Sequence, residues 1–325
     1  MKAIDKNCTV SFSAVRGTLE GGRIMINCRG CKAGSEGKDP LWGTGLSNNT
    51  INKTLKHPCF NKNAHDCARI HLPVAPACNI KCRFCNRKYD CQNESRPGVT
   101  SNLLTPEEAL KIFEHYRKRL KNLTVMGIAG PGDALANFDN VKKTIGYITE
   151  DHSDIAICIS TNGLMLPEYA MELKKMGISH ITVTINAVDP AVSEKIYDYV
   201  DYKGKRFRGR EASEILLKNQ LLGLEIIKDL DIMCKVNIVA IKGVNYFHVK
   251  DIVKKVKSLG VTYTNIMSLI PVKDTDYENH EPLSNKEISN LRKECEDIVP
   301  QMCHCRQCRA DAVGKLGDEL PQCAI

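Results

Sequence analysis

The chain has 325 residues, of which 42% are apolar and 26% charged, so it is long enough to bury a full core and is not a disordered protein. Its net charge of +8 comes from Lys and Arg residues spread beside Glu and Asp along helical patterns, which argues against a nucleic-acid interface. There is neither an apolar run long enough for a membrane span nor a signal-peptide pattern, so we expect a cytoplasmic protein without membrane contact.

The first 55 residues are predicted to form a separate N-terminal extension of unknown role. They are rich in Gly and Asn and show little periodicity. They contain Cys28 and Cys31, whose spacing is compatible with a bound metal or with none.

The segment 56–270 alternates β-branched runs with helical patterns, which is typical of βα units around a parallel sheet. Six strands are predicted, at 69–75, 123–129, 154–160, 178–185, 232–240 and 261–268. Six such units predict an α/β fold with a partial (β/α)6 TIM-like barrel, whose open side would admit a large substrate.

Helix boundaries carry clear local signals. Thr105 and Glu108 form a capping box around Pro106, and this pattern predicts the start of a helix. Gly177 and Gly260 follow apolar helical patterns and are predicted to end two later helices.

The segment 271–325 is predicted to form a C-terminal region with a helix and a Cys-rich tail. A loop at 271–283 precedes a second capping box, formed by Ser284 and Glu287. The tail begins near Met302.

Sixteen cysteines are too many for an ordinary cytosolic enzyme, and a reducing compartment excludes a disulfide framework. Metal–sulfur chemistry is the natural alternative. Three of the cysteines lack partner spacing and are interpreted as structural: Cys8, Cys234 and Cys295. Three more lie near candidate ligands without an assigned role: Cys67, Cys303 and Cys323.

Cys78, Cys82 and Cys85 form a C-x3-C-x2-C triad directly after the first predicted strand. Three thiolates can hold three irons of a 4Fe-4S cluster and leave one iron open for S-adenosyl-L-methionine (SAM). A zinc knot is the alternative, but the triad has no fourth ligand at finger spacing. The position after a barrel strand favours a SAM-cleaving cluster, so these cysteines are the candidate catalytic residues.

Two polar stretches are candidates for binding SAM. Gly130 and Asp133 lie in a Gly-rich stretch, 127–133, after the second strand. Ser160, Thr161 and Asn162 end the third strand with side chains that can hydrogen-bond a ribose or a carboxylate. Ordinary turns are the alternative for both stretches.

Further candidate metal ligands lie outside the triad, and barrel topology can bring them together as ligands of two additional iron-sulfur clusters. They are Cys59, His71, Cys91, Cys158, Cys305 and Cys308. For Cys158 and His71, which lie on apolar strands, a purely structural role in the core is the alternative. The paired spacing of Cys305 and Cys308 favours metal binding.

Long segments of the sequence resemble the NifB family of nitrogenase cofactor biosynthesis proteins, which are radical SAM enzymes. The similar segments are HPCFNKNAH (57–65), ARIHLPVAPACNIKCRFCNRKYDCQNESRPG (68–98), GIAGPGDALAN (127–137), CISTNG (158–163) and CRQCRADAVGKLGD (305–318). The resemblance implies a radical SAM barrel that fuses two 4Fe-4S substrate clusters into an eight-iron precursor, adding a SAM-derived carbide and one sulfide. It also implies two uses of SAM, as methyl donor and as radical source.

The resemblance further implies roles for individual residues. The triad would hold the SAM cluster, and Glu94 would contact a cluster or relay protons. One substrate cluster would be held by His71, Cys91 and Cys158. The other would be held by Cys59, Cys305 and Cys308. A nitrogen ligand is easier to release than a thiolate, so His71 is interpreted as a labile ligand.

Partners also follow from the resemblance. A cofactor-maturation scaffold or a small carrier would accept the product, because the chain ends at Ile325 without the carrier domain of longer members. An iron-sulfur cluster donor and a reductant such as ferredoxin or flavodoxin are expected as well. Residues 1–55 align with nothing in the family. The alternatives are a multi-cluster peptide maturase and a non-enzymatic iron-sulfur scaffold.

Overall fold

The computed structural model describes residues 41, 44–302 and 308–320, which belong to one compact unit, Pro40–Ile325. The candidate ligand Cys305 and the pair Cys28 and Cys31 lie outside the described residues. No helix in the described part is long and apolar enough to cross a membrane.

The strands of the described residues form two sheets. They are β1 (Ala68–His71), β2 (Ile80–Cys82), β3 (Leu123–Ile128), β4 (Ala156–Thr161), β5 (His180–Thr184), β6 (Tyr197–Tyr202), β7 (Lys205–Arg208), β8 (Met233–Ala240), β9 (Tyr263–Ser268), β10 (Val313–Lys315) and β11 (Asp318–Leu320).

The main sheet has the strand order β11-β10-β1-β3-β4-β5-β8-β9 in the described part of the chain. Neighbours from β1 through β9 in this order are parallel, while β10 pairs antiparallel with β1. The six parallel strands are those predicted from the sequence, and the partial (β/α)6 barrel is confirmed.

Helices follow the parallel strands, as expected for βα units, except for one helix that precedes β1. They are α1 (Asn48–Leu55), α2 (Pro106–Arg119), α3 (Phe138–Asp151), α4 (Leu166–Lys175), α5 (Pro190–Ile196), α6 (Gly209–Lys228), α7 (Val249–Ser258) and α8 (Asn285–Glu296). Both predicted capping boxes are present, at Thr105 and at Ser284. Gly177 and Gly260 have φ values of +79° and +84° just beyond α4 and α7, as their C-terminal positions predict.

Three features of the fold were not predicted. The first is a small antiparallel sheet of β2, β6 and β7, and the second is a hairpin of β10 and β11 on the edge of the main sheet. The third is α1, which lies within the predicted extension. β2 has only three residues, so its sequence carries little periodicity.

α1 is held against the main sheet by polar contacts. Asp231 accepts hydrogen bonds from the Ser47 backbone nitrogen (2.6 Å) and from the Thr50 hydroxyl (3.0 Å), and Thr54 Oγ1 lies 3.0 Å from His180 Nε2. The structure therefore differs from the predicted boundary at residue 55, since the compact unit begins at Pro40.

Alternation along the strands separates two environments. In β4, Ile157 and Ile159 lie in the apolar core beneath the helices, whereas Cys158 and Ser160 line the barrel interior. β8 repeats the pattern, with Val236 outside and Asn237 inside. Barrel interiors are usually filled by branched apolar side chains, so this polar interior marks a binding site.

Candidate functional site

The described residues enclose two adjoining cavities at the barrel interior. The triad cavity has an empty volume of about 430 Å³ and is lined by the thiols of the triad together with Cys91. The inner cavity has an empty volume of about 650 Å³ and is lined by residues of the strands β1, β3, β4 and β8. Glu94 and Ser160 line both cavities. Their shared wall makes them two parts of one site.

Local structure brings the triad thiols together. Cys82 lies on β2 opposite Tyr197 of β6, and the Cys85 backbone nitrogen donates to the Cys82 carbonyl at 3.0 Å. Burial raises the pKa of Cys78 to about 12. Burial also raises the pKa of Cys82, and the neighbouring thiols Cys85, Cys78 and Cys91 raise it further. Cationic metal would relieve this mutual repulsion of thiolates.

The thiols of the triad cavity fit a 4Fe-4S cluster. Cys78, Cys82, Cys85 and Cys91 line a cavity with an empty volume of about 430 Å³. Thiols arranged around such a cavity match a 4Fe-4S core, so the residues present fit this group.

The Gly-rich loop packs directly against the segment that leads into the triad. The Gly132 backbone nitrogen donates to the Ala75 carbonyl at 2.6 Å, and that of Asp133 donates to the Ala77 carbonyl at 2.8 Å. A Cβ atom on Gly132 would lie 2.0 Å from the Ala77 carbonyl oxygen, so only glycine allows this approach. Gly130 has a φ of +134°, and a Cβ atom on it would lie 3.4 Å from the Ala310 Cβ.

Asp133 connects this loop to the end of β4. Its carboxylate accepts from Thr161 Oγ1 (3.1 Å), from the Asn162 backbone nitrogen (2.5 Å) and from the Leu135 backbone nitrogen (2.9 Å). Burial raises the pKa of Asp133, and these hydrogen bonds oppose the shift. With so many internal donors, its carboxylate orients the polar residues around it.

Asn162 and Asn93 place amide groups beside the thiols. Asn162 Nδ2 lies 3.9 Å from Cys78 Sγ, and Asn93 Nδ2 lies 3.6 Å from Cys91 Sγ. Amide donors to thiolate sulfur stabilise the ionised form and tune an attached cluster.

Glu94 occupies the wall between the two cavities. Its carboxylate accepts from Ser160 Oγ (3.0 Å), Asn237 Nδ2 (3.0 Å) and Thr184 Oγ1 (3.4 Å). Burial raises the pKa of Glu94 to about 7, against the lowering effect of Lys235 and these hydrogen bonds. A carboxyl group with this pKa gains and loses a proton near neutral pH.

The inner cavity brings together side chains from distant parts of the sequence. Among its lining residues are Cys59, His71, Cys158 and Cys308. Cys91 instead lines the triad cavity. This placement differs from the expected partition, which grouped Cys91 with His71 and Cys158 and placed Cys59 and Cys308 elsewhere.

His71 has the geometry of a metal-binding imidazole. Its Nδ1 donates to the Arg309 carbonyl at 3.1 Å, so Nε2 is the basic nitrogen. Burial lowers the pKa of His71 to about 4, which keeps the ring neutral. A Cβ on Gly127 would lie 2.7 Å from the ring Cδ2, so glycine at this position makes room for the imidazole.

Two buried cations at this site were not predicted. Arg69 is fully buried, and its Nη2 donates to Cys308 Sγ at 2.8 Å. Lys235 is 6% exposed and lines the inner cavity. Arg69 is the only charged residue of the predicted strand 69–75, and Lys235 is the only charged residue of the predicted strand 232–240. A single charge in an otherwise apolar strand is unusual, so the sequence contained a signal for both residues.

The chain matches the family model of the radical SAM superfamily over residues 72–256. It is 42% identical over 320 residues to the FeMo cofactor biosynthesis protein NifB of Sinorhizobium fredii, covering 96% of this chain and 65% of the relative. It is 43% identical over 314 residues to that of Azotobacter vinelandii (94% and 61%) and 46% identical over 279 residues to that of Frankia alni (82% and 54%). The chain thus spans between about half and two thirds of the length of these relatives.

The Sinorhizobium match also corrects one expectation. It leaves only about 4% of the 325 residues outside the alignment, so it extends well into residues 1–55. The expectation that this extension aligns with no member of the family was therefore wrong.

Solved structures agree with the fold. A structure of anSMEcpe with bound AdoMet and the Cp18Cys peptide has a TM-score of 0.52 and 14% identity, covering 70% of this chain and 58% of the other. A second structure of anSMEcpe with bound AdoMet has a TM-score of 0.50 and 15% identity, covering 70% and 57%. The chain therefore belongs to the radical SAM superfamily, and within it the sequence is similar to the NifB proteins of FeMo cofactor biosynthesis.

Proposed function

We propose that this protein fuses two 4Fe-4S substrate clusters, a carbon from a SAM methyl group and one added sulfide into an eight-iron, carbide-centred precursor of the nitrogenase cofactor. The observation that carries the proposal is the pair of adjoining cavities. One is lined by the C-x3-C-x2-C thiols, and the other is lined by three thiols and an imidazole inside the barrel. Sequence similarity to NifB proteins supports the substrate class.

In the triad cavity, Cys78, Cys82 and Cys85 would hold the resident 4Fe-4S cluster. When bound, this cluster and SAM supply one-electron cleavage of a sulfonium carbon–sulfur bond, a hydrogen-abstracting radical and a transferable methyl group. Asp133 fixes the ends of the loops on either side, and Asn162 and Ser160 present polar groups to the cavity. These residues would orient SAM and exclude water.

The inner cavity would hold the substrate clusters. Cys59, Cys158 and Cys308 supply thiols, and His71 supplies a neutral nitrogen donor. The Arg69 guanidinium beside Cys308 favours the thiolate of that residue. Few protein ligands suit a substrate that must leave as product, and the imidazole would be released most easily.

Glu94 would move protons between the cavities. Its carboxylate lies on their shared wall, and its pKa near 7 suits a group that accepts and returns protons at neutral pH. Ser160, Thr184 and Asn237 hold the carboxylate in place for this role.

The proposed reaction requires three kinds of partner. A one-electron reductant such as ferredoxin or flavodoxin would serve the triad cluster, and an iron-sulfur cluster donor would load the inner cavity. A cofactor-maturation scaffold or a small cluster carrier would accept the product.

Product analysis tests the proposed reaction. The anaerobically reconstituted full chain, reduced in the presence of SAM, should yield both 5'-deoxyadenosine and S-adenosylhomocysteine. Formation of 5'-deoxyadenosine alone would point to another radical reaction, such as that of a peptide maturase. Formation of neither product would leave an iron-sulfur scaffold.

A transfer experiment tests the product. Reduced protein loaded with clusters and SAM should activate cofactor-deficient nitrogenase in an extract, whereas the Cys78→Ala variant should not. Active SAM cleavage without any transfer would refute cofactor synthesis.

A further inference from the structure

Lys235 is a lysine that faces the inside of the barrel. Cys234 and Val236, its neighbours on β8, lie in the apolar core beneath the helices. Because side chains alternate along a strand, Lys235 extends to the opposite side, where it lines the inner cavity with Asn237. The side chain is almost completely buried, with 6% exposed.

Two apolar side chains hold the ammonium group in place. Nζ lies 5.1 Å from the centroid of the Phe60 ring and 3.9 Å from Met302 Sδ. Cation–π contact with an aromatic face restrains the position of an ammonium group. Lys235 therefore presents a positioned positive charge to the cavity.

Thiols surround this charge. Cys59, Cys158 and Cys308 line the same cavity as Lys235. An ammonium in a partly dry cavity acts more strongly on nearby anions than one in water, because the local dielectric constant is lower. The charge therefore favours an anionic, thiolate-bound occupant.

We propose that Lys235 is a positioning residue for the substrate cluster, and that its ammonium stabilises the anionic thiolate-bound cluster in the inner cavity. The inference rests on the proposed function, since it takes a 4Fe-4S substrate as the occupant. Three thiolates outweigh the charge of a 4Fe-4S core, so the bound cluster is an anion and becomes more negative on reduction. A fixed cation offsets the cost of burying that charge.

This role has two measurable consequences. Loss of the positive charge weakens retention of the substrate cluster and shifts its midpoint potential to a more negative value, because the reduced cluster loses more stabilisation than the oxidised one. The triad cluster, held in the neighbouring cavity by other residues, keeps its own signal. Charge at position 235 thus acts selectively on one of the two cavities.

A purely structural role makes different predictions. If Lys235 served only to pack against Phe60, its replacement would lower the melting temperature of the full chain and affect both cavities. Removing a buried charge in favour of an apolar side chain of similar length is instead often neutral or stabilising. Under the proposal, therefore, Lys235→Met retains or raises the melting temperature while it loses substrate iron.

The experiment compares full chains reconstituted anaerobically with iron and sulfide. The variants are Lys235→Met, Lys235→Gln and Lys235→Arg, with Lys242→Met as the matched control. Lys242 lies just beyond the same strand, where it pairs with Glu281 at the surface. Each is also made in a chain with Cys78, Cys82 and Cys85 replaced by Ala, so that the retained iron reports on the inner cavity alone.

The expected result is a roughly tenfold faster loss of inner-cavity iron for Lys235→Met and Lys235→Gln, as for removal of one well-placed charge contact. EPR-monitored redox titration should show the negative shift in midpoint potential, and Lys235→Arg should restore both properties. Lys242→Met should behave like the wild type.

Three outcomes overturn the proposal, and they are distinguishable. If the neutral variants retain iron and potential like the wild type, the role of Lys235 fails while the proposed function stands. If the wild type itself retains no iron once the triad is removed, the inner cavity takes no cluster and both proposals fail. Equal loss in Lys235→Arg and Lys235→Met, with lowered melting temperatures, would establish a packing role instead.

Discussion

Gly127 and His71 show how one missing side chain shapes the inner cavity. They lie opposite each other on the paired strands β3 and β1. The imidazole occupies the space that a Cβ on Gly127 would need. The position of the proposed nitrogen ligand thus depends on a glycine in a neighbouring strand.

We expect Gly127→Ala to displace His71 and to destabilise the fold by about 1–3 kcal/mol, the usual cost of overpacking. Denaturant unfolding measures the stability, and EPR of the loaded inner cavity reports the changed ligand. Gly146→Ala is the control, because Gly146 lies in α3 with open space around its Cα. That substitution should stabilise the protein by about 1 kcal/mol and leave the EPR signal unchanged. An unaltered signal in Gly127→Ala would contradict the assignment of His71.

Glu94 is expected to make stability depend on pH in an identifiable way. Burial raises its pKa from 4.5 to about 7 in the folded state. Between these values the folded chain keeps a proton that the unfolded chain has released, so the contribution of Glu94 is complete below pH 4.5 and is lost as pH rises through 7.

Glu94→Gln should remove this dependence. Relative to the wild type, the free energy of unfolding of the variant should rise between pH 4.5 and 7 by about 3 kcal/mol. Denaturant titrations of both proteins before cluster loading, compared at each pH, isolate the effect from that of the buried histidines. A constant difference across this range would show that Glu94 has an ordinary pKa.

At the scale of elements, the Asp231 carboxylate, in the turn before β8, holds the start of α1 in place. Asp231 accepts hydrogen bonds from Ser47 and Thr50 and lies 3.5 Å from the Lys174 ammonium. Burial acts to raise the pKa of Asp231, but these contacts outweigh that effect and lower the pKa. Because α1 leads directly to His57 and Cys59, its attachment also positions one wall of the inner cavity.

Asp231→Asn should therefore loosen α1 selectively. Asn tolerates the left-handed backbone at this position, where φ is +54°, so the change removes charge without straining the turn. We expect a loss of about 1 kcal/mol and faster hydrogen exchange in residues 48–55, measured by mass spectrometry. Asp229→Asn, at an exposed position in the same turn, should leave exchange unchanged. Uniform acceleration over the whole chain would argue against a local role.

At the scale of the whole molecule, the site consists of two cavities with different ligands. The thiols of the triad cavity all come from one segment, residues 78–91, whereas the candidate ligands of the inner cavity come from β1, β4 and the segments that precede β1 and follow α8. Loading of one cavity should therefore survive loss of a ligand from the other.

Single cysteine replacements test this independence. Cys78→Ala should abolish SAM cleavage and the triad signal while retaining inner-cavity iron. Cys158→Ala should lose inner-cavity iron while retaining the iron of the triad cluster. Cys234→Ala, which removes a thiol on the outward face of β8, should change neither. Iron analysis with EPR of each reconstituted variant provides the measurement. Parallel loss of both clusters from either ligand variant would mean that the cavities form a single cooperative site.

Much of the fold could be predicted because its signals are local. The β-branched runs predicted all six parallel strands, and Thr105, Ser284, Gly177 and Gly260 marked helix ends, since capping depends on residues within one turn. The strand β2 of the small sheet was missed, because it has only three residues and its pairing with β6 joins residues more than 100 positions apart.

The sequence by itself determined the superfamily, the barrel and the triad, because strand periodicity and cysteine spacing are properties of neighbouring residues. Only the tertiary structure decided which side chains share a cavity. Cys91 lines the triad cavity, and Arg69 and Lys235 stand beside the thiols of the inner cavity. The physical reason is that the inward-facing positions of parallel strands come from distant parts of the chain, so their grouping depends on strand order and register.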